Sequence, residues 1–127
     1  YRKWLEPLLL LINLAIAFGL YKGLKELFER PRPSVEALIE ASGYGFPSGN
    51  ALLSSAVYGF AAYALYRLWS KRHPMRSRTA AAIGILLVLA IGVSRVYLGV
   101  HYPSDIIAGY CLGTALLLVT GERIGKR

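Results

Sequence analysis

Three ionisable side chains stand close together in the stretch SRVYLGVHYPSD, Ser94 to Asp105: Arg95, His101 and Asp105. The stretch closes a long apolar run. Charge at the centre of a membrane helix costs roughly 2.5 kcal/mol or more, so ionisable groups in such a setting mark a functional site. Arg95 has the planar fork that clamps an anion. His101 is suited to be a nucleophile or a base, and Asp105, four residues on, to orient its imidazole. A second cation, Arg32, lies between Pro31 and Pro33, which forbid helix and hold it in an extended loop. A third feature is SGYGFPSGN, Ser42 to Asn50, where Gly43, Gly45 and Gly49 let the backbone approach a ligand. Pro47 suits the first turn of the helix that follows, and the start of that helix is an anion site.

The elements that must hold these groups are read from hydropathy. The 127 residues are 55% hydrophobic with mean hydropathy +0.44, too apolar for an ordinary soluble domain of this size. One apolar run covers about Trp4 to Leu24, long enough for a hydrocarbon core of roughly 30 Å. A second follows SGYGFPSGN as far as Trp69. A third runs from about Ala80 to Val100, and a fourth from Pro103 to about Thr120. The expected fold is therefore all-α, an integral-membrane antiparallel bundle of four spans with short connections. Between the first two spans, Ser34 is expected to cap a short helical turn through Ala41 at the membrane surface, with Glu36 and Glu40 facing water. Gly19 with Gly23, and Gly109 with Gly113, have the small-residue spacing of close helix contact. The single cysteine, Cys111, excludes an internal disulfide and reads as packing. The chain starts at Tyr1, so we expect residues 1–127 to form one domain that belongs to something longer.

Four antiparallel spans bring Lys25, Arg32, Ser48, Arg95, His101 and Asp105 to one end of the bundle. That end also holds Lys22, Arg30 and the acids Glu26, Glu29, Glu36 and Glu40, so its formal charge is zero. The other end carries Arg2, Lys3, Arg67, Lys71, Arg72, Arg76, Arg78, Arg123, Lys126 and Arg127 against Glu6 and Glu122, the whole of the net +8. By the positive-inside rule the basic end is cytoplasmic, and the site opens away from the cytoplasm. A nucleic-acid partner is not expected, because the charges flank spans instead of forming a patch with aromatic readers. His73 reads as a solvated loop residue.

On these residues the chain resembles the type 2 phosphatidic acid phosphatase superfamily, whose members include membrane lipid phosphate phosphatases. The family pattern has Lys, six residues and Arg-Pro, then Pro-Ser-Gly-His, then Ser-Arg, five residues, His, three residues and Asp. Lys25 with Arg32-Pro33 matches the first part. Ser94, Arg95, His101 and Asp105 match the third. The second reads PSGN, Pro47 to Asn50, with Asn50 where the family has His. The resemblance implies a metal-independent phosphatase without cofactor, acting on a lipid phosphomonoester or pyrophosphate of the undecaprenyl pyrophosphate, phosphatidylglycerol phosphate, phosphatidic acid or lipid A type. It implies that Lys25, Arg32, Ser48, Gly49 and Arg95 hold the phosphoryl group, that His101 becomes a phosphohistidine and that Asp105 orients it. Asn50 then occupies the position of the general acid, and an impaired enzyme is expected because Asn supplies no proton at neutral pH. A catalytically silent protein that binds lipid phosphate is the alternative. Members have six spans, and these four look like the last four, so N-terminal spans are expected to be missing. The expected setting is the inner or plasma membrane, with the active site on the extracytoplasmic side.

Overall fold

The computed structural model describes residues 4–125, with side chains as far as Glu122. Arg2, Lys3, Lys126 and Arg127, expected on the basic end, lie outside the described residues, as does the side chain of Arg123. Four helices form: α1 (Leu5–Phe28), α2 (Gly49–Trp69), α3 (Pro74–Tyr97) and α4 (Pro103–Gly125). They make the expected all-α antiparallel bundle. Helices α1, α3 and α4 are each long and apolar enough to cross a membrane. Helix α2 is about 31 Å long at 1.5 Å per residue. It is the least lipid-like by composition because it is the central helix, walled in by the others. Ala51, Leu52, Ser54, Ser55, Ala56, Phe60 and Ala62 are all buried on it.

The helix boundaries follow local chemistry. α1 runs to Phe28, past the expected end at Leu24, and stops where Glu29 turns left-handed (φ 46°) ahead of Arg30-Pro31. α3 starts at Pro74, not near Ala80, since a proline at the first helical position presets φ and misses no hydrogen bond. It ends before Gly99, whose φ of 78° no β-branched or bulky residue adopts without strain. Pro47 lies ahead of the α2 cap, not in its first turn.

Small residues set the helix spacing, though not all those expected. A Cβ on Gly109 would lie 2.8 Å from Ala51 Cβ and 2.9 Å from the Ser48 carbonyl oxygen, so α4 rests on α2 backbone there. Gly113 accommodates Ser55 in the same way, and Gly84 brings α3 onto Ala62 of α2. Gly19 and Gly23 face no close neighbour and form no such contact. The buried Asn13 amide donates to the Ala56 carbonyl at 3.3 Å and accepts from Thr120 Oγ1 at 3.5 Å, tying α1 to α2 and α4. Such interhelical bonds contribute roughly 0.6–2 kcal/mol each in a membrane setting. The outer surfaces present Leu11, Ile16, Leu86, Val93 and Leu118 to the surroundings, an apolar coat that lipid covers. Cys111 is part of this exposed surface and not of the interior packing.

Two connections depart from expectation. The link between α1 and α2, residues 29–48, is long and carries no helical turn at Ser34 to Ala41. That stretch is instead tied to the end of α3, the Leu38 N–H donating to the Leu98 carbonyl at 3.0 Å and Val35 and Ala37 lying against Gly99. Tertiary contact with a glycine turn overrides a weak local helix signal. The link at the opposite end, 70–73, is a tight turn.

Candidate active site

The loop 29–48, the turn 98–102 and the first turns of α2 and α4 meet at one end of the bundle. Pro103 starts α4, and the Tyr102 N–H donates to Asp105 Oδ2 at 2.8 Å, so Asp105 serves the helix start as well as the site. Asp105 is fully buried and His101 nearly so. His101 Nδ1 lies 3.4 Å from Asp105 Oδ2, and Arg32 Nη1 lies 3.3 Å from His101 Nε2. Arginine only donates, so this contact makes Nε2 the acceptor and leaves the ring proton on Nδ1, facing Asp105. The imidazole is thereby oriented with its Nε2 lone pair toward the cationic side.

Burial pushes the His101 proton affinity below its ordinary value of 6.5, and the neighbouring Arg32 charge adds to the effect. Asp105, through its hydrogen bond and its charge, acts in the opposite sense, as does the Gly45 carbonyl. The neutral, nucleophilic ring is the form that this environment favours.

Arg32 is held by main chain. Its Nε donates to the Gly43 carbonyl at 3.2 Å, Nη2 to Ser42 at 3.0 Å and Nη1 to Val100 at 2.9 Å. Gly43, with φ of 73°, makes the turn that presents this carbonyl. An open cavity of about 640 Å³ lies between the 32–42 loop and Gly99-Val100, with Arg32, Glu40 and Ser42 in its wall.

Ser48 caps α2, its hydroxyl oxygen accepting from Ala51 N–H at 3.3 Å, and its own N–H donates to the Asp105 carbonyl at 3.1 Å. The hydroxyl hydrogen stays free for an acceptor. With Ala51 and Leu52 N–H taken by Ser48, the N–H groups of Gly49 and Asn50 are the orphan donors of this helix start. Gly49 is glycine because the Tyr21 ring lies over it, where a Cβ would come within 2.8 Å of the ring. Thus Gly49 makes room for a protein side chain and not only for a ligand, while Gly45 lies at ordinary contact distance from Arg32 and Asp105. Asn50 is exposed in the first turn of α2.

The remaining two expected residues are at the same end but not in the His101 cluster. Lys25 Nζ donates to Tyr21 Oη at 2.6 Å and lies over that ring, with its stem against Gly43. Arg95 is in the last turn of α3, and its Nε is buried without a hydrogen-bond partner among the described residues. A buried guanidinium N–H left open is costly unless a ligand takes it.

Two residues were not anticipated. Arg30 Nη1 donates to Asp105 Oδ1 at 2.8 Å and to Ser104 Oγ at 2.6 Å, and the guanidinium lies over the Phe46 ring at 4.7 Å. The signal was the spacing: in an extended RPRP segment, residues two apart face the same side, so Arg30 and Arg32 point together. Tyr21 was detectable as the helical i−4 neighbour of Lys25. Among the described residues no group of three His, Cys, Asp or Glu is placed to hold a metal ion.

Comparison with known proteins adds to this geometry. A family profile described as the PAP2 superfamily matches residues 6–126. The chain is 36% identical over 119 residues to a phosphatidylglycerophosphatase B of Bacillus subtilis, an alignment that takes in 94% of this chain but spans only 58% of that relative's length. It is 33% identical over 72 residues to an undecaprenyl-diphosphatase of Sulfolobus acidocaldarius, covering 56% of this chain and 29% of that protein. The crystal structure of a transmembrane PAP2 type phosphatidylglycerolphosphate phosphatase from Bacillus subtilis superposes with a TM-score of 0.85 at 32% identity, over 99% of this chain and 62% of that one.

Proposed function

The chain belongs to the PAP2 superfamily, and on that footing we propose that it is a multi-pass membrane phosphatase that removes phosphate from a lipid phosphomonoester or diphosphate. The observation that carries this reading is the oriented imidazole, His101 between Asp105 and Arg32. In the proposed reaction Nε2 of His101 attacks phosphorus, the bond from phosphorus to the lipid oxygen breaks, and a phosphohistidine forms. Water then attacks phosphorus, the P–N bond breaks and inorganic phosphate leaves. An arriving phosphoryl oxygen takes over the Arg32 hydrogen that now points at Nε2, which frees the lone pair for attack. Arg95 supplies its open Nε–H, and Ser48 Oγ–H with the N–H groups of Gly49 and Asn50 completes the cradle at the positive end of α2. Lys25 adds charge from its perch on Tyr21. These donors stabilise the charge that grows on the phosphoryl oxygens.

Asn50 stands at the start of α2, and its amide hydrogen-bonds but does not protonate a departing alkoxide. It favours one second reading, a lipid-phosphate binder without turnover. Release of inorganic phosphate from phosphatidic acid, phosphatidylglycerol phosphate and undecaprenyl pyrophosphate in detergent separates the two. Release that saturates with substrate supports the enzyme; saturable binding with none supports the binder. We further propose that the site faces away from the cytoplasm across an inner or plasma membrane, as the charge asymmetry favours. With Cys111 changed to Ser, an impermeant thiol reagent is expected to label Ser42→Cys but not Lys71→Cys in intact cells, both positions being exposed. Labelling of Lys71→Cys without lysis overturns this orientation.

A further inference from the structure

Buried carboxylates need a counter-charge, and Asp105 has one that the motif residues do not supply. Its two oxygens are divided: Oδ2 meets Tyr102 N–H and His101 Nδ1, while Oδ1 meets Arg30 alone among the described contacts. Arg30 is fixed on three sides, by Asp105, by Ser104 Oγ and by the face of Phe46, and the Gly45 N–H donates to its carbonyl at 2.8 Å. We propose that Arg30 is a positioning residue for the reaction: held on Oδ1, it offsets the charge of the Asp105 carboxylate, so that Oδ2 orients the imidazole without drawing a second proton onto it.

The physical reason lies in the order of contacts. Oδ2 is nearer to the Tyr102 amide, at 2.8 Å, than to His101 Nδ1, at 3.4 Å, so the carboxylate meets the imidazole through its longest contact. The 2.8 Å ion pair at Oδ1 is its short charged contact, and it offsets the charge that faces Nδ1. The charged groups that face the imidazole are Arg32 from the loop and Asp105 from α4, and Arg30 faces Asp105 from the same loop; Arg95 closes α3 nearby in sequence. A carboxylate stripped of Arg30 would be a stronger attractor of the His101 proton and would draw the ring toward the inert imidazolium. Loop 29–48 then has two tasks, Arg32 on the Nε2 side and Arg30 behind Asp105.

This proposal rests on the phosphatase reading for its rate effect but not for its titration effect, and the test separates the two. The chain has only two histidines, so His101 titration is followed by NMR of histidine-labelled full chain in detergent, with His73→Gln removing the other signal. Arg30→Gln is expected to raise the His101 midpoint by about one pH unit, the size typical of losing a nearby charge contact. Turnover at neutral pH is expected to fall about tenfold with the Michaelis constant within about twofold, as for a residue that acts through the nucleophile. Arg30→Lys keeps the charge but not the planar guanidinium that lies on Phe46 and is expected to restore the midpoint more than the turnover, while Ser104→Ala, which leaves the guanidinium on Asp105 and Phe46, moves neither by much. Should Arg30→Gln fail to fold, Arg30→Lys carries the test alone through this split. An unchanged or lowered midpoint in folded Arg30→Gln overturns the proposal. If the midpoint rises but the unaltered chain and Asn50→His both release no phosphate from any lipid, the phosphatase reading fails and the positioning of His101 stands.

Discussion

Both ends of the bundle carry cations and a histidine, and only one of them confines those groups. At the turn between α2 and α3, Lys71, Arg72, Arg76 and Arg78 are exposed, as is His73. At the opposite end Asp105 and His101 are buried, Arg32 is bound to three carbonyls, and Arg30 is shared between a carboxylate, a hydroxyl and a ring. Exposed charges in water contribute little to a fold, about 0–1 kcal/mol per pair, and stay free to meet anionic lipid headgroups. Buried charges must be paired, and losing one partner costs several times more, about 3–5 kcal/mol. The cause of the difference is loop length. The turn at 70–73 is too short to fold over anything, whereas 29–48 reaches across to the α3–α4 junction, bonding Leu98, Val100 and Asp105. Chemistry at this surface is thus decided by which loop returns to cover the charges, not by how many charges there are.

The two histidines give the largest test of that contrast. His101→Asn removes the proposed nucleophile and is expected to lower phosphate release by about 10⁴-fold or more, in line with the loss of a covalent catalyst. His73→Gln is expected to leave it unchanged. Comparable losses from both substitutions would break the comparison and place the reaction elsewhere. Next in size is a gain. Asn50→His supplies the missing acid on the exposed first turn of α2, and positioned acid–base groups are worth about 10²–10⁴ in rate. Turnover should rise by a factor in that range with little change in the Michaelis constant, and a diphosphate, with its better leaving group, should gain less than a monoester. No gain on any lipid phosphate means that the acid lies elsewhere or that the chain only binds.

Most of the fold was legible because hydropathy and punctuation agreed. Four apolar runs, the last opening at Pro103, correspond to four helices in order, although the first runs past Leu24 and the third starts at Pro74 and not near Ala80, and the topology put Lys25, Arg32, Ser48, Arg95, His101 and Asp105 at one end. What stayed hidden was set by contacts across the bundle. The Ser34 to Ala41 stretch has helix-compatible residues, yet it is drawn out against Gly99. Gly109 and Gly113 were as weak a signal as Gly19 and Gly23; only the partner helix decides which pair packs. The site was readable as a set of residues but not as a network. Nothing in the spacing says that Arg32 binds carbonyls and points one nitrogen at His101, or that Arg30 backs Asp105.

Arg95 and Arg32 sharpen the comparison within the site itself. Arg32 is already bonded, while Arg95 has a buried Nε without a partner among the described residues. Arg95→Lys removes that orphan N–H together with the fork, so phosphate or vanadate should bind about tenfold more weakly, the value of one charge-assisted bond of roughly 1.5 kcal/mol. Helix content and melting temperature should hold or rise slightly, because a strained donor is gone. Unchanged anion affinity would remove Arg95 from the cradle.

The smallest effect expected is a displacement along the pH axis. His101 is held below 6.5 first by burial and then by Arg32, against the pull of Asp105 and the Gly45 carbonyl. A group with a lowered folded-state value binds its proton more readily in the unfolded chain. Acidification through 6.5 and below therefore erodes stability, and the contribution is fully present only above that value. The same sign governs rate, since only the neutral ring attacks. The acid limb of kcat/KM should accordingly fall below pH 6.5, and it should coincide with the His101 titration read by NMR. Asp105→Asn removes two of the opposing influences, so the limb should move further to acid even as turnover drops. A limb above 6.5 in the unaltered chain would mean that carboxylate attraction outweighs burial at His101 and that this end of the bundle is wetter than its packing indicates, while a limb that moves to alkali in Asp105→Asn would mean that it does not report the ring that Asp105 faces.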